Sequence, residues 1–206
     1  MSIRISELTA STTDLKNTDL LEVSVFNGTT YHSKKMNGSQ ILGERYIGES
    51  YGGGVIFHLW RDSDGIQRGL IVGLTDLSTS QAWSNVTGTA IGSTAQSTWD
   101  GLSNSNAIVA QVGHTNSAAK LCLDSTANGQ TDWYLPAISE LNILLHSRFE
   151  VAKGLIVAGG NELAFTNYWS STEYTLNNSW LGANFTVING ENPKGVPIRV
   201  RAIRQF

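Results

Sequence analysis

The strongest short-range pattern in the first 45 residues predicts a β-hairpin. Residues 20–26 alternate apolar and polar side chains, Asn27-Gly28 follows, and residues 29–36 form a second extended run. Asn-Gly between two such runs favours a tight turn, because both residues tolerate positive φ. A lone hairpin is marginal in water, so it must pack on the main domain, on copies of itself or on another protein.

A second unit is predicted to begin near Tyr46. Residues 55–60 are apolar on both faces, which is typical of a central buried strand, and residues 69–74 form the returning strand after a turn at residues 61–65. His58 is interpreted as a satisfied core histidine. Asp62, Asp64 and Gly65 match only part of a calcium loop, since no acidic residue closes it, and no metal site is expected.

Helical spacing appears in the middle of this unit. Residues 103–112 and 117–123 predict one or two helices, and residues 137–146 predict another with Pro136 at its first turn. Its apolar stripe is Ile138, Leu141, Leu144 and Leu145, whereas Glu140 need not share the buried face.

The C-terminal part predicts a meander of strands. Residues 179–187 precede a turn at Asn189-Gly190, and residues 198–204 alternate apolar residues with arginine. This alternation predicts one strand with its arginines outward or over aromatic rings. Residues 168–174, Tyr-Trp-Ser-Ser-Thr-Glu-Tyr, predict a partly buried wall at the centre of the domain. Together with the 21 glycines and six tryptophans, these elements indicate a loop-rich mixed or β fold rather than a helical bundle.

Composition and charge narrow the possible functions. The 206 residues are 40% hydrophobic and 15% charged, with a formal net charge of -3 and no long basic run, so nucleic-acid binding is not expected. The single Cys122 excludes an intramolecular disulfide and a cysteine metal cluster. No apolar signal region and no stretch of membrane-spanning length occurs, so neither export by a standard signal nor membrane insertion is expected.

The opening segment resembles the start of many bacteriophage virion proteins. The resemblance rests on residues 5–8, 18–23, 27–30 and 34–36. In tail fibres, head fibres and capsid decorations such a segment implies an anchor to the particle. From the resemblance and the hairpin pattern we expect residues 1–45 to be an anchoring or oligomerising segment. The side chains assigned to anchoring are Ile5, Leu8, Leu20, Leu21, Val23, Val25 and Tyr31. An ordinary hairpin packed on its own domain is the alternative.

Residues 46–206 resemble a family of bacterial and phage surface domains that includes the C-terminal domain of the Legionella collagen-like adhesin. The matching stretches are residues 51–57, 91–93, 131–136, 140–142, 168–174, Trp180 and 200–204. The resemblance implies an α+β fold of the C-type-lectin-like and formylglycine-generating-enzyme-like group, with a twisted antiparallel sheet, one to three helices and long ligand-facing loops. The adhesin member implies recognition of sulfated or other polysaccharides.

The chain departs from relatives of that fold in two ways. It lacks the Glu-Pro-Asn or Gln-Pro-Asp triplet and the Trp-Asn-Asp triplet with which C-type lectins hold calcium and sugar. It also lacks the reactive cysteines of formylglycine enzymes, because Cys122 lies in an apolar helical pattern. The acidic net charge does not favour the basic groove that a sulfated ligand would require.

Candidate ligand-binding residues cluster around the aromatic stretch. Sugar recognition needs an aromatic face together with planar amides or carboxylates. The candidates are Trp169, Glu173, Asn177, Asn178 and Trp180. The alternative is that Trp169 and Trp133 belong to the core, as tryptophan usually does.

The hypothesis that the protein is an enzyme has little support in the sequence. Ser170 or Ser171 with His114 or His146 lacks a nucleophile elbow. Glu140 with Glu173 as a glycosidase pair is not favoured either, so no catalytic residue is expected.

The two resemblances together predict a non-enzymatic phage structural protein. It would be a head or tail fibre or a capsid decoration, displaying a lectin-like domain for host-surface polysaccharide. We expect a homo-oligomer that contacts other capsid or tail proteins, is assembled in the host bacterial cytoplasm and resides in the virion, without cofactor or metal. Two alternatives remain open, a purely structural decoration and a bacterial surface adhesin.

Overall fold

Two units make up the chain in the computed structural model, which describes residues 20–26, 29–37, 44–183 and 188–206. The smaller unit contains the described residues up to Arg45 together with Ser63–Ile66, and the larger contains Tyr46–Asp62 and Gln67–Phe206. Among the described residues, no helix has the length and apolarity that crossing a bilayer requires.

The predicted hairpin is present in the smaller unit. Strand β1 (Leu20–Phe26) pairs antiparallel with β2 (Tyr31–Asn37), from Leu20 opposite Asn37 to Phe26 opposite Tyr31. The predicted turn residues Asn27 and Gly28 lie outside the described residues, as do two of the proposed anchoring residues. The anchoring candidates outside are Ile5 and Leu8, and those on the paired strands are Leu20, Leu21, Val23, Val25 and Tyr31.

The larger unit mixes strands and helices, which confirms the α+β class. Its strands are β3 (Ser50–Tyr51), β4 (Gly54–Arg61), β5 (Gln67–Gly73), β6 (Ser78–Gln81), β7 (Asn167–Glu173), β8 (Asn178–Ala183), β9 (Ile188–Pro193), β10 (Ile198–Val200) and β11 (Ile203–Gln205). Its helices are α1 (Gly101–Val109), α2 (Ala118–Leu123), α3 (Ile138–His146) and α4 (Arg148–Val157), with short 3₁₀ turns at Ser93–Ala95 and Ala127–Gly129. The described residues thus contain four α-helices, whereas the sequence predicted at most three.

Two open sheets replace the single antiparallel sheet that was predicted. One has four strands in the order β11-β5-β4-β3, all antiparallel, and the other has five in the order β6-β10-β7-β8-β9. In the second sheet β10 runs parallel to β7, with Arg199 opposite Tyr168. Two parallel strands need a long crossover connection, and the chain between β7 and β10 supplies it. The predicted turn at Asn189-Gly190 is also wrong, because both residues lie within β9 opposite Gly182 and Leu181.

The C-terminal arginines do not form one outward face. β10 and β11 belong to different sheets, and Arg201 between them is 1% exposed. Its Nε donates to Asp76 Oδ1 at 2.6 Å, and Arg199 Nη1 donates to Asp76 Oδ2 at 2.8 Å. The prediction of one arginine face outward or over aromatic rings was wrong, because the half-buried Asp76 compensates the charges of Arg199 and Arg201 inside the fold.

Apolar side chains fill both faces of the four-stranded sheet. Neighbouring positions on a strand point to opposite faces, so Ile56 joins one cluster and Val55 joins the other. The first cluster contains Trp83, Trp133 and Trp169, and the second contains Leu141, Leu144 and Leu145 of α3 with Val151 and Leu155 of α4. Each fully buried large apolar side chain contributes about 1.5–3 kcal/mol. The apolar stripe predicted for α3 is therefore confirmed.

Candidate binding cleft

An open cavity of about 520 Å³ lies between the four-stranded sheet and the first turns of α1 and α3. Its lining residues are His58, Trp60, Leu70, Trp99, Asp100, Leu102, Asp132, Tyr134, Ser139, Glu140, Ile143 and Gln205. None of them belongs to the five ligand-binding candidates that the sequence suggested. We call this cavity the cleft.

A β-bulge in β4 places two aromatic rings on the cleft side of the sheet. Ile56 pairs with Ile71, but the next paired position is His58 opposite Leu70, so Phe57 is the extra residue. The bulge reverses the alternation, and His58 and Trp60 therefore follow Phe57 on the same face. Their rings stack with centroids 5.7 Å apart. His58 is half-buried at the cleft rather than enclosed in the core, which corrects the prediction.

Trp99 projects from the segment that leads into α1. Its side chain is 74% exposed, although the surrounding backbone is well tied. Ser97 Oγ accepts hydrogen bonds from the backbone N–H groups of Trp99 (3.4 Å) and Asp100 (3.0 Å), and Ser139 N donates to Thr98 O at 2.8 Å. An exposed tryptophan on an ordered backbone is an uncommon surface feature, because its apolar area stays in contact with water and adds no stability through burial.

Asp100 begins α1 and lies at the rim of the cleft. Its Oδ1 accepts from Ser103 N at 2.9 Å and its Oδ2 accepts from Ser103 Oγ at 2.7 Å. This is the usual N-cap arrangement, in which a short acidic side chain satisfies a free N–H of the first turn. The cap fixes the carboxylate beside Trp99.

Glu140 forms the floor of the cleft. Its Oε2 accepts from Ala137 N at 2.8 Å and from Gly101 N at 3.1 Å, and its Oε1 accepts from Tyr134 Oη at 2.9 Å. One carboxyl group thus joins the starts of two helices. A Cβ at Gly101 would lie 2.5 Å from Glu140 Oε2, so glycine is required for this approach.

Burial controls the protonation of this floor. Glu140 is 7% exposed, which corrects the expectation that it need not share the buried face of α3. Burial raises its pKa to about 7, against the opposing effect of the hydrogen bonds that Ala137 and Tyr134 donate. Burial also raises the pKa of Tyr134 far above its ordinary range, with the nearby Glu140 charge acting in the same direction.

Asp132 lies at another edge of the cleft and is matched by an arginine. Arg204 Nε donates to Asp132 Oδ1 at 2.6 Å and Nη2 donates to Oδ2 at 2.8 Å, a bidentate pair. The hydrogen bond from Arg204 holds the pKa of Asp132 below its usual range. Its charge is therefore compensated within the protein.

Two of the sequence candidates lie in the interior. Trp169 has no exposed surface, and its Nε1 donates to Gln81 O at 2.9 Å. Glu173 is 2% exposed and accepts from Lys194 Nζ at 2.6 Å and from Gly92 N at 2.8 Å. Neither side chain has surface to offer a ligand in this conformation, which agrees with the alternative that Trp169 is core.

The other three candidates lie together on the surface of β8 and the loop before it. Trp180 is half-buried against Tyr174, with ring centroids 4.6 Å apart. Asn178 Nδ2 donates to Glu191 Oε2 at 3.2 Å, and Asn177 is exposed. We call the surface formed by Tyr174, Asn177, Asn178 and Trp180 the β7–β8 face.

The groups considered for catalysis have other partners. Ser170 Oγ donates to Trp180 O at 2.7 Å, and Ser171 Oγ accepts from Asn104 Nδ2 at 3.2 Å. The ring of His146 contacts Asn142 O at 2.7 Å within its own helix. Among the residues that the structure describes, no three His, Cys, Asp or Glu side chains come close enough to hold a metal ion.

Comparison with known proteins gives a likeness of fold. No protein-family model and no curated protein matches the chain. A fimbrial protein from Bacteroides ovatus has a similar structure, with a TM-score of 0.57 and 16% sequence identity. The likeness covers 74% of this chain and 44% of the fimbrial protein, so this chain spans less than half of that protein's length. At this identity the likeness shows the fold alone.

Proposed function

We propose that the larger unit is a non-enzymatic binding domain that recognises a saccharide on a cell surface through the cleft. The observation that supports it most directly is the exposed Trp99 ring in a cavity also lined by the stacked rings of His58 and Trp60. Aromatic faces pack against the C–H side of a sugar ring, a contact that no neighbouring protein residue makes with most of Trp99.

The remaining lining suits the hydroxyl groups of a sugar. Asp100 supplies a carboxylate, Gln205 supplies a planar amide and Ser139 supplies a hydroxyl. The volume of about 520 Å³ lies within the range of about 300–1,000 Å³ that is typical of small-ligand sites. A few fixed polar groups among apolar walls are the usual composition of such sites.

The finer proposal is that the protein belongs to a phage particle. The N-terminal resemblance and the β1–β2 hairpin support an anchoring segment on a head fibre, tail fibre or capsid decoration, working as a homo-oligomer beside other virion proteins. The resemblance of residues 46–206 to adhesin domains supports a C-type-lectin-like display domain as part of this proposal. Repetition on a particle would give avidity to individually weak sugar contacts.

A bacterial surface adhesin is the second candidate. The protein from Bacteroides ovatus that shares this fold is named a fimbrial protein, and this likeness favours an adhesive role on a cell. Both candidates use the same cleft, so one set of binding measurements addresses them together.

The test is binding of the full chain and of Trp99→Ala to a glycan array and to intact bacteria. We expect saccharide binding by the full chain and an affinity loss of about tenfold in Trp99→Ala, equivalent to about 1.4 kcal/mol. Phe149→Ala is the matched control, because Phe149 is also an exposed aromatic, at 66%, but does not line the cleft. Absence of glycan and cell binding, or equal losses in the two variants, would overturn the proposal and favour a decoration without glycan recognition.

A further inference from the structure

Acidic side chains outnumber basic ones among the titratable groups that line the cleft. The carboxyl groups of Asp100, Asp132 and Glu140 line it, and so do His58 and Tyr134, whereas no lysine or arginine is among the lining residues of the described chain. A sulfated or uronic acid chain would therefore find no cationic side chain among these lining residues, where it needs one.

The three carboxyl groups are not equally available to a ligand. Arg204 compensates the charge of Asp132 by donating to both of its oxygens. Both oxygens of Glu140 accept hydrogen bonds on the cleft floor, where the group is buried. Asp100 at the rim is the remaining one, because the groups of Ser103 that donate to it carry no charge.

Asp100 has the capacity and the position to bind a further donor. Its two oxygens each accept one hydrogen bond from Ser103, while a carboxylate has about four acceptor sites. The neighbouring Trp99 ring is exposed in the same cleft, and an aromatic face also attracts a cation. A carboxylate beside an open indole ring favours an ammonium group carried on an otherwise apolar or hydroxylated surface.

From these contacts we infer that the cleft selects a saccharide that carries a free amino group, and that Asp100 is the residue that determines this specificity. The inference rests on the proposed saccharide-binding function and names its ligand class. An amino sugar supplies a C–H face for Trp99, an ammonium group for Asp100 and hydroxyl groups for Gln205 and Ser139. Of the sulfated or other polysaccharides that the adhesin resemblance implies, it disfavours the sulfated ones.

Three tetrasaccharides test the inference with the full-length protein, by calorimetry at a pH of about 6, where amines are protonated. They are a β-1,4-linked glucosamine tetramer with free amines, its fully N-acetylated counterpart and a heparin-derived tetramer. We expect the free amine form to bind at least tenfold more tightly than the N-acetylated form and the sulfated form to bind most weakly.

Asp100→Asn is the decisive variant. Asparagine caps helices about as well as aspartate, so α1 is retained while the charge is lost. We expect this variant to bind both glucosamine-based tetramers with similar affinity. Asp124→Asn is the control, because it removes one exposed carboxylate, paired with Lys120, at a position outside the cleft lining. The control should keep the full preference.

Each outcome has a separate meaning. Equal binding of the free amine and N-acetylated tetramers by the unmodified protein would overturn the inference and leave the saccharide function standing. A preference that persists in Asp100→Asn would overturn the role of Asp100. Binding of none of the three would count against both the inference and the proposed function.

Discussion

Strand β7 and the cleft contain the same residue types and use them in opposite ways. On β7, the Trp169 ring is enclosed, and the Glu173 carboxylate binds Lys194 and backbone N–H groups. In the cleft, Trp99 is 74% exposed, and the half-buried Asp100 beside it lines the cavity. Both regions pair a tryptophan with an acidic residue, yet only the cleft leaves aromatic surface and acceptor capacity for another molecule.

The difference shows that the role of a polar side chain depends more on whether the protein already supplies its partners than on its residue type. Glu173 has a cation at 2.6 Å and backbone donors from Ile91 and Gly92, so its role is to fasten a long loop onto β7. A buried ion pair of this kind contributes little net stability by itself, but losing one partner is costly. The comparison is therefore tested on β7 by removing the cationic partner of Glu173. In the cleft it is tested by removing the exposed aromatic surface of Trp99.

The largest effect is expected from Lys194→Met. The Lys194–Glu173 pair has both side chains at 0% exposure, so this change leaves a buried carboxylate without its cation and should lower the free energy of unfolding by about 3–5 kcal/mol. Denaturant unfolding measures it. Lys120→Met is the control, because Lys120 pairs with Asp124 at the exposed surface and should cost less than about 1 kcal/mol. Similar small losses in both variants would contradict the structural role assigned to Glu173.

The next largest effect is a pH dependence of stability that arises from Glu140 on the cleft floor. The pKa of Glu140 is raised from 4.5 to about 7 in the folded protein, so the folded state holds its proton over a range where the unfolded state has lost it. Its contribution to stability is therefore full below about 4.5 and is lost as the pH rises through about 7. The maximum change is about 3 kcal/mol.

Glu140→Gln isolates this contribution. The difference in unfolding free energy between the unmodified protein and Glu140→Gln should shift against the unmodified protein between pH 4.5 and 7 and stay constant above that range. Glu150→Gln, which changes an exposed glutamate on α4, provides the baseline. A flat difference across this range would show that Glu140 is not held protonated by burial.

Local sequence patterns predicted much of the fold but little of the cleft. The β1–β2 hairpin, the β4–β5 pair and α3 follow from alternation, turn residues and helical spacing. Helix α4 was missed because Gly154 weakens the helical pattern. That glycine is required by tertiary structure, since a Cβ there would collide with the carbonyl oxygen of Gly48.

The cleft depends on relations between distant residues. The bulge at Phe57 reverses which β4 side chains face it, and no local residue pattern marks a bulge of this kind. Trp99 lies 39 positions after Trp60, and only the folded sheet and helices bring both to one cavity. The one local signal was an aspartate before a helical run, with a tryptophan before it, which indicates a cap but not a binding site.

The smallest effect is expected on the β7–β8 face. Asn177 is exposed, so Asn177→Ala should change the free energy of unfolding by less than about 0.5 kcal/mol. If saccharide binds in the cleft, its affinity in this variant should stay within twofold of the unmodified protein. Trp180→Ala should give the same affinity even though it removes the packing against Tyr174 and lowers stability. A tenfold loss of affinity in both variants, with Trp99→Ala unaffected, would move the ligand from the cleft to the face that the sequence first suggested, because only a sugar stacked on Trp180 would sense both changes.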